Sequence, residues 1–483
     1  MKESLIFIVD FGTSNVRVAA IKTADGRLLD AVSEKYETIS PNPGWLETDP
    51  EGLWLHAESC MRKMVEKTDF TKYSMDAISF SYFGDNLIPV DENGEAVYNC
   101  ILCFDARGEE ESDYITEKIG LMRIIEITGC DYEAGCTGAK ILWLKNHMPE
   151  VYAKTKKFYT QQQYLNNRLG FYEWNDYTMA GRKSMLDNVS GEWSEEFLNL
   201  LGITKESLGK VADAEKVIGT LKCFGSVELP GEIPCVLGSH DADCGLIGLG
   251  VGDPKKPVIA EITGTFEHCG LMLDGFVNTF YEHPDKDIWS SRGPIPGMSS
   301  CISAFATSGA LLEWFMKSVV GDTSQESYQK FWNEAQFDGT GMVRVSPDLR
   351  DNGGVFSGIG IETTKTDLFR GVIEALTFET RKCLELCQSM MTQKIDHVRI
   401  TGGAAKSDEW IQLKADVTGI PFRRMVETEG SALGAAVIAA VGIGKYSSYK
   451  DAMDAMVHPA EEFLPRPEKF AKYDRIYKEI NQE

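Results

Sequence analysis

Two short apolar, β-branched runs stand about half a chain apart, and each closes on a turn that carries a Gly-Thr pair. The first, Leu5-Ile-Phe-Ile-Val9, enters Asp10-Phe-Gly-Thr-Ser-Asn15 and resumes as Val16-Arg-Val-Ala-Ala-Ile21. Two strand-like runs about such a turn define a β-hairpin. A third run, residues 27–32, follows the Asp25-Gly26 turn and extends the meander. The second hairpin enters through Pro257-Val-Ile-Ala-Glu-Ile262, turns at Thr263-Gly-Thr265 and leaves through Gly270-Leu-Met-Leu273. A single hydrophobic core stops growing near ~250–300 residues, and this chain has 483. Length and repeated hairpin together predict two related α/β halves that each offer a turn to a common cleft. Seams fall near residues 230–238 and 250–257, and the expected division is residues 1–247 and 248–483.

Helical periodicity marks residues 139–145, 311–318 and 369–387, the last after the cap-like Thr363-Thr-Lys-Thr-Asp367. Val398-Arg-Ile-Thr401 reads as a strand running into Gly402-Gly403, with a helix from about Ser407. The end of the chain, from Pro465, reads as a surface tail or a helix laid on the body.

The charge balance excludes some partners. With 49 basic and 73 acidic residues the net charge is −24, which repels nucleic acid and anionic membrane. It also means that a phosphate ligand needs local amide dipoles or cations. Twelve scattered cysteines in a long chain suit reduced thiols of a cytoplasmic protein. Cys100 and Cys103 form a lone C-x-x-C with no second pair and no histidine pair nearby, which argues against a metal or redox role. The run ending at Val9 is too short for a signal-peptide core, and no stretch approaches the ~20 apolar residues of a membrane span.

Four segments carry chemistry. In Asp10-x-Gly-Thr-x-x-x-Arg17 a strand delivers a carboxylate to a tight turn whose amides and hydroxyls converge, as in a phosphate-cradling nest; an Asp capping its own turn is the plainer reading. Thr263-Gly264-Thr265 offers close backbone approach and two hydroxyls, or simply a turn. Ser239-His240-Asp241 follows an apolar strand and precedes a small-residue run. Asp241 there is either a helix N-cap or a general base for an attacking alcohol, since phosphoryl transfer depends on positioning and charge more than on base strength. His240 either orients that carboxylate or belongs to the core. Thr401-Gly-Gly-Ala-Ala-Lys-Ser407 is a glycine-rich strand-to-helix turn that suits a base or phosphate at a helix N-terminus. Neither G-x-G-x-x-G nor the P-loop pattern is present.

In this order, with Gly44-Trp-Leu-Glu-Thr-Asp-Pro50 and Phe104-Asp-Ala-Arg107 between them, these segments resemble the FGGY carbohydrate kinases, a family that includes glycerol kinase, xylulokinase, fuculokinase and gluconate kinase. The resemblance implies two actin-like, ribonuclease-H-like domains flanking a cleft in which Mg-ATP meets a polyol or sugar. It implies Asp10 near Mg2+; Thr13, Ser14, Asn15 and Arg17 in the first phosphate loop; and Thr265 in the second. It likewise places Gly309, Gly403 and Ser407 at the nucleotide and makes Asp241 the base. The sugar, the base and the first loop then belong to the N-terminal half, and the nucleotide to the C-terminal half.

Gly84 and Asp85 stand where the family touches the acceptor, in place of the Arg-Glu pair of glycerol kinase, and Ala242 follows the base. These departures argue against glycerol. Trp174-Asn-Asp-Tyr-Thr-Met-Ala-Gly181 is most similar to the fuculokinase and xylulokinase branch and implies a ketose of five or six carbons, a deoxyhexulose foremost. A sugar acid or tetritol kinase, an actin-like ATPase and a sugar sensor are the alternatives. A homodimer is implied by resemblance alone.

Overall fold

The computed structural model describes residues 2–12, 14–253, 255–264, 267–282, 288–305, 308–347 and 354–481. Its first strand, Glu3–Phe11, pairs antiparallel with Asn15–Lys22 and, on its other edge, parallel with Tyr73–Tyr82. Successive strand side chains point to opposite faces. Leu5, Phe7, Val9 and Phe11 therefore join one core while Ile6 and Ile8 join another. Burial on both faces is why the run is continuously apolar rather than alternating. Leu28–Lys35, Val217–Phe224, Val227–Val236 and the short Ser239–His240 complete a seven-stranded sheet.

The second hairpin repeats the plan. Ile259–Thr263 pairs antiparallel with Glu267–Asp274 and parallel with Val398–Gly402. Met298–Phe305 extends the hairpin as Leu28–Lys35 extends the first. Trp289–Arg292, Phe422–Met425 and Pro459–Phe463 bring this sheet to seven strands as well. The fold is thus a two-domain α/β architecture with mixed sheets. Between the sheets two helices, Asp241–Gly248 and Gly430–Gly442, pack against each other. The second is apolar all round and buried along most of its length, as a helix enclosed on every side must be. One core runs from Ile6 and Ala19 through Leu246 and Val437 to Ala260 and Ile302.

The long helix Lys365–Ser389 starts in a capping box between Thr364 and Asp367. The segment read as helical over residues 311–318 is α-helical over Ser308–Trp314 and widens to a π-helix over Phe315–Val320. The end of the chain forms the helix Pro467–Asn481. Between Tyr73–Tyr82 and Val217–Phe224 a smaller helical layer, with its own core around Ile124, Trp143 and Phe197, covers the end of the first sheet. All twelve cysteines are reduced, and no described helix is long and apolar enough to cross a membrane.

One buried carboxyl makes the fold pH-dependent. Glu374, on the long helix, accepts a hydrogen bond from Tyr473 Oη at 3.1 Å. Burial, opposed by Tyr473, Arg344 and Arg370, pushes its pKa up to about 7. A folded-state pKa above the unfolded value means that the protonated form favours folding. The contribution is whole below about pH 4.5 and is lost as pH rises through 7. Urea denaturation at pH 5 and pH 8 is expected to show lower stability at pH 8, by up to about 3 kcal/mol from this group. Glu374→Gln is expected to flatten that difference. An unchanged pH slope in the variant would show that the carboxyl is ionised in the fold.

Candidate active site

The register of the first sheet sets the first half of the site. Asp10 lies beside Ser81, which lies beside Ser239 on the next parallel strand, and Phe11, Tyr82 and His240 form the row beyond. Ligands of open α/β sheets sit outside the carboxyl ends of parallel strands, and Asp10 and Asp241 both stand there. Asp10 is half-buried. Burial and the neighbouring Asp241 carboxylate raise its pKa to about 6, against a Ser81 hydrogen bond and Arg17. Asp241 is the first residue of its helix, and its side chain accepts from Ala242 N at 2.7 Å. The N-cap position is His240, which makes no side-chain cap bond, and Asp241 satisfies a first-turn amide in its stead. A third of the Asp241 side chain is exposed to the cleft. Burial raises its pKa, with His240 pulling the other way.

His240 bridges two carboxylates. Its Nε2 lies 3.2 Å from Asp241 Oδ1 and its Nδ1 2.9 Å from Asp243 Oδ2. Burial alone lowers the pKa of this imidazole, but the two carboxylates outweigh it and the net shift is upward. Asp243 is fully buried and also accepts a hydrogen bond from Ser300 Oγ on the second sheet. His240 read from sequence as orienting the carboxylate or as core; Asp243 was given no role, and Ser300 carried no signal.

Of the first loop, Thr13 lies outside the described residues. Ser14 is exposed, and Asn15 Nδ2 donates to Ser33 Oγ at 3.1 Å. Arg17 is not a free cation: it is ion-paired with Glu429, the residue that starts the Gly430–Gly442 helix.

The second half of the site forms around Thr263. Its Oγ1 donates to the Thr401 carbonyl at 2.9 Å and accepts from Ala404 N at 2.9 Å, while Gly403 N donates to the Thr263 carbonyl at 3.0 Å. Gly402 has φ +93°, and a Cβ there would stand 1.9 Å from the Thr263 carbonyl oxygen; only glycine permits that approach. Gly309 N donates to the Gly264 carbonyl at 3.1 Å. Gly264, Gly309, Gly403 and Ser407 consequently line one cavity of about 320 Å³, together with Trp332 and Trp410. Ser407 caps the Asp408–Thr418 helix through Trp410 N at 3.2 Å. Thr265 and Phe266, like Ala306 and Thr307, lie outside the described residues. The two tryptophans, with ring centroids 5.8 Å apart, were missed because they come from helices far apart in sequence.

The start of the Gly430–Gly442 helix joins the two halves. Thr401 Oγ1 donates to the Thr428 carbonyl at 2.9 Å, Glu429 pairs with Arg17, and Ser431 Oγ donates to the Asp241 carbonyl at 3.1 Å. Of the residues expected at the acceptor, Gly84 is buried, Asp85 and Ala242 are half-buried, and the Asp85 carbonyl accepts from the fully buried Lys140 Nζ at 2.6 Å.

The two-domain α/β fold thus sets the Asp10 and Asp241 carboxylates at the strand ends of the first sheet and a glycine-lined cavity beside the second. Residues 5–248 match the N-terminal domain and residues 303–443 the C-terminal domain of the FGGY family of carbohydrate kinases, and the chain belongs to that family. It is 25% identical over 485 residues to the xylulose kinase of Staphylococcus xylosus, covering 98% of each chain. It is 26% identical over 479 residues to the L-fuculokinase of Escherichia coli strain K12, covering 97% of this chain and 98% of that one. The structure of ligand-bound xylulose kinase from Lactobacillus acidophilus superposes with a TM-score of 0.88 at 22% identity, covering 99% and 98% of the two chains.

Proposed function

We propose that the protein transfers the γ-phosphoryl group of ATP to a hydroxyl of a five- or six-carbon ketose, with Asp241 as general base. The observation that carries the reading is the placement of Asp241. It lies near Asp10 at the ends of two strands that flank Tyr73–Tyr82, and is tied through Ser431 to the segment that reaches the Gly264–Gly403 cavity. The acceptor hydroxyl attacks phosphorus as its proton passes to Asp241, and ADP departs. His240 holds the carboxylate from one side, and Asp243 fixes the imidazole from the other. The adenosine takes the cavity against Trp332 and Trp410.

With Arg17 paired to Glu429, the turn amides, the N-terminus of the Gly430–Gly442 helix and Lys406, which lines the cavity, are electropositive groups placed to meet the phosphates. That answers how a chain of net charge −24 holds a triphosphate. No group of three or more metal-ligating side chains stands together among the described residues. This fits Mg2+, which is commonly held by one or two carboxylates, waters and substrate phosphates. Asp10 would hold it, and the ion would neutralise charge on the transferring phosphoryl group. The division near residue 247, the sugar on the N-terminal side and the nucleotide on the C-terminal side follow from the same reading. The ketose class is supported by the names of the relatives, xylulose kinase and L-fuculokinase.

Coupled ADP release across pentuloses, hexuloses, deoxyhexuloses, aldonic acids and tetritols tests it. A ketose is expected to raise turnover well above the rate without acceptor. Sugar-independent turnover would instead mark an ATPase. Silence in the assay despite sugar-induced thermal stabilisation would mark a sensor.

A further inference from the structure

The acceptor end of the cleft holds a cation that the proposed chemistry does not use. Arg182 follows the short helix Tyr177–Gly181 and is half-buried. Its Nε is buried and has no hydrogen-bond partner among the described residues. The carboxylates of Asp85, Asp243 and Asp241 surround it closely enough to act on its charge, yet none forms an ion pair with it among the described residues.

Its position is held from both sides. Ahead of it, Asp176 accepts from Thr178 Oγ1 at 2.6 Å and from Ser239 Oγ at 3.1 Å. Thr178 Oγ1 in turn accepts from His240 N at 2.9 Å. This cluster clamps the Tyr177–Gly181 helix to the strand that delivers Asp241. Behind it, the fully buried Lys183 donates to the Phe158 and Leu208 carbonyls and to Gln163 Oε1 at 2.7, 3.0 and 2.8 Å. The guanidinium stem then lies across Gly84. A Cβ on Gly84 would meet Arg182 Cγ and Cδ at 2.9 Å and His240 Nε2 at 2.8 Å. Gly84 is the space in which the Arg182 stem passes beside His240.

We propose that Arg182 determines acceptor specificity by donating hydrogen bonds to an oxygen of the sugar next to the hydroxyl presented to Asp241, with Asp85 as the facing acceptor. A buried donor without a partner loses a hydrogen bond to water on folding and regains one when an oxygen-bearing ligand arrives. A guanidinium and a carboxylate on either side of a polyol match its hydroxyls, which both donate and accept. An acceptor that lacks the neighbouring oxygen leaves both groups buried and unpaired, which is how such sites reject deoxy analogues.

The inference rests on the kinase reading, and the test separates the two. Steady-state kinetics and sugar-induced thermal stabilisation are measured for the full chain and for Arg182→Met, Arg182→Lys and Gly84→Ala. They use the ketose singled out by ADP release and its analogue deoxygenated beside the reacting carbon. Loss of a hydrogen bond to a charged group predicts that Arg182→Met raises the acceptor KM about 10- to 100-fold. The KM for ATP is expected to hold, and preference for the ketose over its deoxy analogue to collapse. Arg182→Lys recovers part of the affinity. Gly84→Ala, which displaces the guanidinium without removing it, shows the same loss of preference and keeps the test valid if Arg182→Met unfolds. An unchanged acceptor KM, or undiminished preference in Arg182→Met, overturns the proposal. If no sugar drives ADP release from the unmodified chain, the kinase reading fails. Arg182 is then judged by stabilisation: sugar-induced stabilisation retained by Arg182→Met, or absent from the unmodified chain, overturns it, and stabilisation lost only in the variant supports it.

Discussion

Asp241→Asn lowers kcat by about 10²- to 10⁴-fold, the range that a positioned general base contributes, and leaves adenine-nucleotide affinity unchanged. The amide keeps the shape of the side chain and can still accept from Ala242 N, so the start of the Asp241–Gly248 helix is preserved. What it removes is the proton acceptor, and the negative charge that faces Asp10 and His240. The cavity proposed for the nucleotide is lined by Gly264, Gly309, Gly403 and Ser407, and Asp241 is not part of its lining. Nucleotide binding is therefore read separately, by the quenching of Trp332 and Trp410 fluorescence on adding ADP. Full quenching with turnover reduced as stated supports the assignment. Turnover within a few-fold of the unmodified chain would assign the base elsewhere, and a lost ADP signal would mean that the substitution acts on folding rather than on proton transfer.

Lys414→Met destabilises the protein by about 3–5 kcal/mol, the cost of stripping a buried charge of its partner. Lys414 is fully buried on the Asp408–Thr418 helix. Its ammonium is paired with Glu261 and, at 2.8 Å, with Glu267, and it donates to Thr380 Oγ1 at 2.7 Å. Burial would discharge it, but the two glutamates outweigh burial and hold it protonated. Burial raises Glu261 strongly, whereas Glu267 is pulled down by Lys414, Glu261 and Thr380 in spite of burial. One ammonium is thus shared by two buried carboxyls whose pKa values are pushed in opposite directions. Without the ammonium, both glutamates lose the buried cation that they face.

Glu267 opens the strand that follows the Thr263-Gly264 turn and also accepts from Ser308 Oγ at 2.8 Å, beside the cavity. The loss should therefore reach nucleotide affinity as well as the urea midpoint. Adding Glu261→Leu to Lys414→Met is expected to recover part of the stability, because replacing several members of a buried ionic cluster costs less than removing one. A loss below about 1 kcal/mol in the single variant would mean that water or rearrangement already screens the cluster.

Some of this molecule was legible in its residues. Leu5–Ile21 and residues 257–273 read as hairpins because a strand and a tight turn are local events, set by β-branched runs and by glycine at the bend. The Lys365–Ser389 helix and its Thr364 cap were legible for the same reason. So was the neighbourhood of Asp10, Asp241 and the Gly402-Gly403 turn, since each chemical segment is contiguous. Thr13 and Thr265 lie outside the described residues.

Partnership across the chain was not legible. Arg17 read as a cation for phosphate, yet Glu429, from the far end of the chain, neutralises it. Asp241 read first as a helix cap and only second as a base; the register of three parallel strands brings it near Asp10. The missing bulk at Gly84 read as a departure from a pattern, whereas in the fold it makes room for the stem of Arg182. Backbone form is decided among near neighbours, by side-chain shape and the reach of one hydrogen bond. Electrostatic pairing and packing are decided by whatever the completed sheets and helices bring within a few ångströms, and no spacing along the chain records that.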